Sequence, residues 1–217
     1  MNLIFFGAPN AGKGTYAQGI KNDFMITQVS SGDMLREEVK TSSVLGKKIK
    51  ELIDAGKFVD DQTMIELFKQ RLTEKDCEKG FILDGFPRTL PQAQALDEML
   101  ESLNKKIDLV LSFEVPIETL IDRVTGRRTC PKCNRIFHVR NVPPKVEGKC
   151  DDCGIDLIKR VDDNEETLRK RVKEFQEKTA PLIEYYDRKK LLLKVDGDRL
   201  PEIVLKELKE MLKERFG

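Results

Sequence analysis

A run of four apolar residues, Leu3-Ile4-Phe5-Phe6, breaks into Gly7-Ala8-Pro9-Asn10-Ala11-Gly12-Lys13-Gly14-Thr15, and a helical pattern follows over 12–22. A strand that is apolar on successive positions needs cover on both faces, so the chain must supply helices to each side of a sheet. Gly7 and Gly12, with Lys13 next, give the spacing of a phosphate-binding loop between strand and helix. Backbone N–H groups of such a turn face inward, the helix N-terminus adds positive potential, and the lysine reaches the outer phosphates. The general pattern puts Ser or Thr directly after the lysine; here Gly14 precedes Thr15, which argues less strongly for a hydroxyl bound directly to magnesium. A glycine-rich turn with no ligand is the bland alternative, and the position after a buried strand speaks against it.

The rest of the chain repeats the alternation. Strand patterns at 2–6, 25–29, 81–83, 109–113 and 192–195 are separated by helical patterns at 12–22, 31–40, 45–55, 61–71, 90–102 and 118–124. The expected class is α/β, a three-layer α/β/α arrangement around a parallel five-stranded sheet. A chain of 217 residues suits one core with small insertions. Two inserts break the rhythm: a helical one at 30–59 and a cysteine-bearing one at 126–163, leaving 1–29, 60–125 and 164–217 as the core. Asp162, Asp163, Glu165 and Glu166 read as a helix start, with Leu168, Val172, Phe175, Leu182 and Tyr186 at helical spacing after it. Pro181 should kink or split that helix, and 201–216 forms a terminal amphipathic one.

Composition narrows the function. Lys plus Arg number 39 and Asp plus Glu 38, a net charge of +1, so there is no electrostatic case for nucleic acid or a membrane surface as partner. No apolar run approaches bilayer length, and Met1 leads straight into the first strand without a basic-then-apolar leader. The expectation is a soluble cytoplasmic protein, and five cysteines in a reducing compartment do not make a disulfide scaffold.

Four of those cysteines form two pairs, Cys130-Pro-Lys-Cys133 and Cys150-Asp-Asp-Cys153, separated by sixteen residues. That spacing suits a tetrahedral site of four thiolates, with zinc the expected metal, iron of the same geometry or a dithiol pair being the alternatives. Four protein ligands leave no open position for water, which makes the metal structural. Cys77 lies outside the pairs and reads as a small core residue, and His138 as part of the insert without being a ligand.

A second loop, Asp84-Gly85-Phe86-Pro87-Arg88-Thr89, follows the strand at 81–83 and so falls at the carboxyl edge of the sheet, where ligands sit in such folds. Asp84 could orient magnesium and its waters, and the planar fork of Arg88 suits a phosphate. Taken with the GKGT ending of the first loop, the string DGFPRT followed by Pro91-Gln92-Ala93 resembles adenylate kinases and their nucleoside monophosphate kinase relatives. In that family most members carry glycine where Asn10 stands, and Thr where Ser31 stands in Ser30-Ser31-Gly32-Asp33-Met34-Leu35-Arg36.

The resemblance runs nearly end to end and implies the reaction ATP + AMP ⇌ 2 ADP, with ATP used as its magnesium complex and structural zinc in a lid at 126–163. It implies a monomer handling ATP, AMP and ADP. The first loop, from Asn10 and Ala11 through Gly12, Lys13, Gly14 and Thr15, would hold ATP together with Arg123, Arg127, Ile136, Phe137 and the backbone at Arg199. The AMP side would comprise Ser31, Arg36, Lys57, Phe58, Val59, Gly85, Phe86, Pro87, Arg88 and Gln92, with Gln92 on the adenine. Asp33 and Asp84 would hold magnesium through water. Lys13, Asp84, Arg88, Arg123, Arg127, Arg160 and Arg171 would carry the chemistry, Arg160 and Arg171 also gripping AMP. Arg128 reads as a secondary contact.

Two rival functions differ in testable ways. A kinase for another nucleoside monophosphate is opposed by Ser31, Thr89 and Gln92, since pyrimidine-specific relatives usually carry Asn at the Thr89 position. A zinc-ribbon protein that binds nucleic acid and uses ATP as a switch would need a basic, aromatic-bearing face, yet Trp is absent and Tyr numbers three.

Overall fold

The computed structural model describes residues 1–41, 43–55 and 57–217; positions 42 and 56, inside the expected 30–59 insert, lie outside the described residues. Five parallel strands form the central sheet: β1 (Asn2–Gly7), β2 (Thr27–Ser30), β3 (Phe81–Asp84), β4 (Leu109–Glu114) and a last one, Leu192–Asp196, in the order β2-β3-β1-β4 and then this strand. On β1, Ile4 and Phe6 enter one hydrophobic cluster while Leu3 and Phe5 enter a second on the opposite face. That is the three-layer arrangement expected of a strand apolar on both sides, with each buried Leu, Ile or Phe contributing roughly 1.5–3 kcal/mol.

The first face is covered by α2 (Ser31–Lys40), α3 (Val44–Asp54), α4 (Asp61–Arg71) and α5 (Leu90–Ser102). The second is covered by α1 (Lys13–Phe24), α6 (Ile117–Gly126) and the C-terminal helix Pro201–Phe216. The local sequence sets these boundaries. Ser30, Ser43, Asp60 and Thr89 each accept a backbone N–H three residues on, at Asp33, Gly46, Thr63 and Gln92, the side-chain capping that satisfies otherwise orphaned donors. Among the described residues no helix is long and apolar enough to cross a membrane.

One sequence expectation needs correction, and two are met with a detail the sequence did not supply. Met25 does not begin β2; it ends α1 in the left-handed conformation and is 70% exposed, an apolar residue spent on a helix terminus. The helix start read from Asp162, Asp163, Glu165 and Glu166 is present as α7 (Glu165–Glu174), with Asn164 as its cap, accepting from the Thr167 N–H. Between α7 and α8 (Pro181–Arg188) the chain forms a π-turn, Phe175–Thr179, and Pro181 occupies the first turn of α8, where a proline needs no donor. The split expected at Pro181 is therefore present, preceded by one wide turn.

The two segments read as inserts differ in how they are held. Leu35, Ile49 and Val59 belong to the same buried cluster as Phe68 and Phe86, so 30–59 shares the main interior. In 126–163, β5 (Arg127–Thr129) pairs antiparallel with β6 (Ile136–His138), and Phe137 packs with Cys130 and Cys150 in a cluster of its own. The final sheet strand is β7 (Leu192–Asp196) and the terminal helix α9 (Pro201–Phe216).

Candidate active site

The phosphate loop opens α1 as the spacing predicts. Gly12 stands before the helix with φ 91°, and a Cβ there would meet the Tyr16 ring at 2.9 Å, so glycine is required on two counts. Asn10 also takes a positive φ of 68°. Asparagine tolerates that region better than other side chains, which lets it hold this positive φ without glycine.

Lys13 Nζ donates to the Gly7 and Ala8 carbonyls at 2.8 and 3.0 Å, holding the amine inside the loop. Burial pushes its pKa down to about 8, with Arg88 and Arg127 adding to the fall and Asp84 opposing it. Asp84, at the end of β3 and level with Ser30 of β2 and Phe5 of β1, is raised by the same burial against the pull of Lys13. A Cβ at Gly14 would lie 3.6 Å from Asp84 Oδ2 and 3.5 Å from Ile136 Cδ1. The carboxylate, the start of α1 and the cysteine-bearing segment therefore meet at one point.

Arg88 is the most constrained cation of the site. Its Nε donates to the Gly85 carbonyl at 2.7 Å and its Nη2 to Ser31 Oγ at 3.1 Å. Its backbone N–H is accepted by Gln92 Oε1, and its carbonyl accepts from Thr179 in the π-turn. Gly85 has φ 80°, and a Cβ on it would sit 2.4 Å from Ser31 Oγ and 3.0 Å from Arg88 Nη2, so only glycine admits this packing. Burial and then Arg171 bring the Arg88 pKa down to about 10, leaving the guanidinium charged at neutral pH. Burial, then Arg36 and Arg127, likewise lower Arg160 to about 10. Such mutual repulsion among buried cations marks a place prepared for several negative charges.

Two residues that sequence reasoning gave another role orient this cluster. Arg127 bonds Asp163 through Nε at 2.9 Å and through Nη2, and Arg171 Nη1 bonds Asp162 at 2.6 Å. The adjacent acids at 162–163, two residues beyond Arg160, were the available signal. Arg36 pairs with Asp33 at 2.5 Å on α2.

Other expected residues fall in less direct positions. Gln92 is buried and engaged within the protein, its Nε2 donating to Asp61 at 2.8 Å. Phe86 is buried and stacked on Phe68 at 3.9 Å. Phe137 is 1% exposed inside the small cluster with Cys130 and Cys150, so only its backbone can face a ligand; Ile136 reaches the phosphate loop. Arg123 donates from Nη2 to the Gly197 carbonyl at 2.7 Å, near Arg199, whose own side chain turns away to Glu207. Arg123 Nη1 is buried without a partner among the described residues. Lys57 is exposed and Val59 buried.

The four paired cysteines converge, with Sγ atoms of Cys130, Cys133, Cys150 and Cys153 all within 4.8 Å of one another. Cys133 and Cys150 Sγ are 3.7 Å apart, close to the roughly 3.8 Å edge of a tetrahedron with Zn–S bonds of about 2.3 Å. Burial opposes ionisation of Cys130, but N–H groups of Cys133 and Lys132 point at its sulfur and bring it down to about 7. Donor set and spacing fit zinc. His138 is not a ligand: its Nδ1 accepts from the Arg140 and Asn141 N–H groups, and its Nε2 faces the Asp122 carbonyl at 3.1 Å.

Comparison with known proteins agrees with this geometry. A family model described as adenylate kinase matches residues 5–191. An adenylate kinase of Archaeoglobus fulgidus is 52% identical over 212 residues, covering 98% of each chain. One from Caldicellulosiruptor bescii is 50% identical with 98% of each covered, and one from Fervidobacterium nodosum is 47% identical with 98% of this chain and 97% of its own covered. On the family model matched over residues 5–191 and on relatives about 50% identical over nearly the whole chain, the chain belongs to the adenylate kinase family.

Proposed function

We propose that the residues described above carry out reversible transfer of a phosphoryl group from MgATP to AMP, giving two ADP. One observation carries this assignment to residues: cations from distant parts of the chain converge, the charges of Arg88 and Arg127 bearing on Lys13, that of Arg171 on Arg88 and that of Arg127 on Arg160. A phosphate monoester loses its second proton near pH ~6, so AMP arrives as an anionic nucleophile. No general base is needed, which agrees with a site rich in arginine in a chain with a single histidine. The work left to the protein is alignment and charge neutralisation of an in-line transfer.

The α1 N-terminus and Lys13 hold the outer phosphates of ATP, with Arg123 and the backbone near Arg199 at the adenine. Arg36, Arg88 and Arg171 hold the AMP phosphate, and Arg127 and Arg160 meet the charge between the two nucleotides. Asp84, with Asp33 near the entrance, is placed to receive magnesium through its waters; the ion supplies further neutralisation of the phosphates. Segment 126–163 acts as a lid whose Ile136 closes over Gly14 and keeps out water, the competing nucleophile. Zinc held by the four cysteines lends that lid the rigidity its small cluster lacks. The enzyme works as a monomer on free nucleotides in a reducing cytoplasm; cysteines arranged as thiolate ligands rather than disulfides support that setting.

A coupled assay of ADP formation from MgATP with AMP, GMP, CMP and UMP in parallel tests this. AMP should be preferred by orders of magnitude; equal or better use of another monophosphate overturns the substrate assignment.

A further inference from the structure

Arg88 has five N–H donors, of which Nε and one on Nη2 are taken by Gly85 and Ser31. Among the described residues no protein acceptor takes the others, which are the ones left for a phosphoryl group. Two hydrogen bonds at one edge of a planar guanidinium leave it free to tilt about that edge. The contact that stops the tilt comes from across the site: the Arg88 Cζ lies 4.4 Å from the centroid of the Phe58 ring. Phe58 is half-buried and directly precedes buried Val59 and Asp60, which caps α4. Lys178 of the π-turn, tied to Glu174 at 3.0 Å, also approaches this ring, 5.4 Å from its centroid.

We propose that Phe58 is a positioning residue for Arg88. Its ring face fixes the plane of the guanidinium, so that the unpaired donors meet the transferring group once the 57–60 segment is seated. The attraction is electrostatic, between a cation and the negative face of the ring, and an aliphatic side chain of similar volume fills the space without supplying it. This differs from a contact between Phe58 and the AMP base, because one face of the ring is given to Arg88. It deepens the reading of the site as an AMP phosphorylating centre and rests on it.

The test compares Phe58→Leu and Phe58→Tyr with the unaltered enzyme, alone and combined with Arg88→Met. Phe58→Leu should lower kcat roughly 3–30-fold, the range expected of a partly desolvated cation–ring contact, with KM for AMP changed less than about twofold. Phe58→Tyr, which keeps the ring, should restore kcat to within about twofold. In the Arg88→Met background Phe58→Leu should cost less than about twofold, because its effect passes through the missing guanidinium. A rise in KM for AMP at constant kcat, or an unchanged cost of Phe58→Leu without Arg88, overturns the proposal. An NMR readout stands apart from activity: Arg88 side-chain protons should be shifted upfield by the ring, and the shift should vanish in Phe58→Leu and persist in Phe58→Tyr. If the shift is present but no ADP forms, the activity assignment fails while the contact survives; if ADP forms and the shift is absent, the positioning role fails alone.

Discussion

Asp163 is joined to Arg127 at two points, and its side chain is wholly withdrawn from solvent while that of Arg127 is 15% exposed. Such a pair orients a cation without removing the local excess of positive charge, because Arg36, Arg88 and Arg160 remain nearby. Removing one partner of a buried pair strands the other, which typically costs several kcal/mol. Asp163→Asn should therefore destabilise the fold by about 3 kcal/mol, seen calorimetrically as a melting temperature lower by roughly 6–12 °C for a domain of this size. Turnover should fall as well, since Arg127 loses its direction. Unchanged melting would contradict the pairing.

Arg88→Ala should behave in the opposite way. The guanidinium sits among like charges, so its removal relieves repulsion that offsets the lost bonds to Gly85 and Ser31. Stability should change by no more than about 1–2 kcal/mol, while kcat falls by roughly 10²–10³ or more, as for loss of a preorganised charge stabiliser. Steady-state kinetics beside a thermal melt separates the two effects, and preserved turnover would remove Arg88 from the chemistry.

Lys13, with a pKa of about 8, makes ATP binding proton-linked. Below that value the free enzyme already carries the charge; near it about half the molecules lack it, and a bound polyphosphate raises the affinity for the proton. Binding should thus take up about half a proton at pH 8 and close to none at pH 6.5 to 7. Calorimetric titration in buffers of different ionisation enthalpy measures this directly. The alkaline limb of kcat/KM for ATP should fall through the same region, because it reports groups of the free enzyme. Proton release at pH 8 would reverse the assigned sign.

The four-thiol site and His138 predict contrasting outcomes within one segment. Replacing Cys130 and Cys133 by Ser should abolish metal content by elemental analysis and lower the melting temperature. His138→Ala should keep turnover within about tenfold, since no proton is abstracted by a base. Its bonds to the backbone at 122, 140 and 141 make it a brace at the foot of the lid. A loss of several orders of magnitude would show that a base takes part after all.

Much of this was readable before any coordinates, for identifiable reasons. Continuous apolar runs marked the strands because both faces of the sheet are covered, and the phosphate loop declared itself through glycines that the backbone requires. Met25 misled because an apolar side chain beside Ile26 cannot be told from a strand residue, although it occupies a left-handed helix terminus. The acids at 162–166 marked the start of α7, but that Asn164 among them supplies the cap could not be read from the acids alone. The π-turn left no periodic trace over five residues, and its use of Thr179 on the Arg88 carbonyl could not be foreseen. Phe137 and Gln92 carry motif positions, but burial and existing partners decide what their side chains do.

The helices over 31–54 draw on the same apolar interior as the sheet, whereas the cysteine segment keeps a separate one. Displacing those helices would consequently disturb the main interior, whereas the cysteine-bearing flap could shift with little disturbance to it. Heating should loosen the first in step with global melting, and the flap's mobility should follow its metal instead.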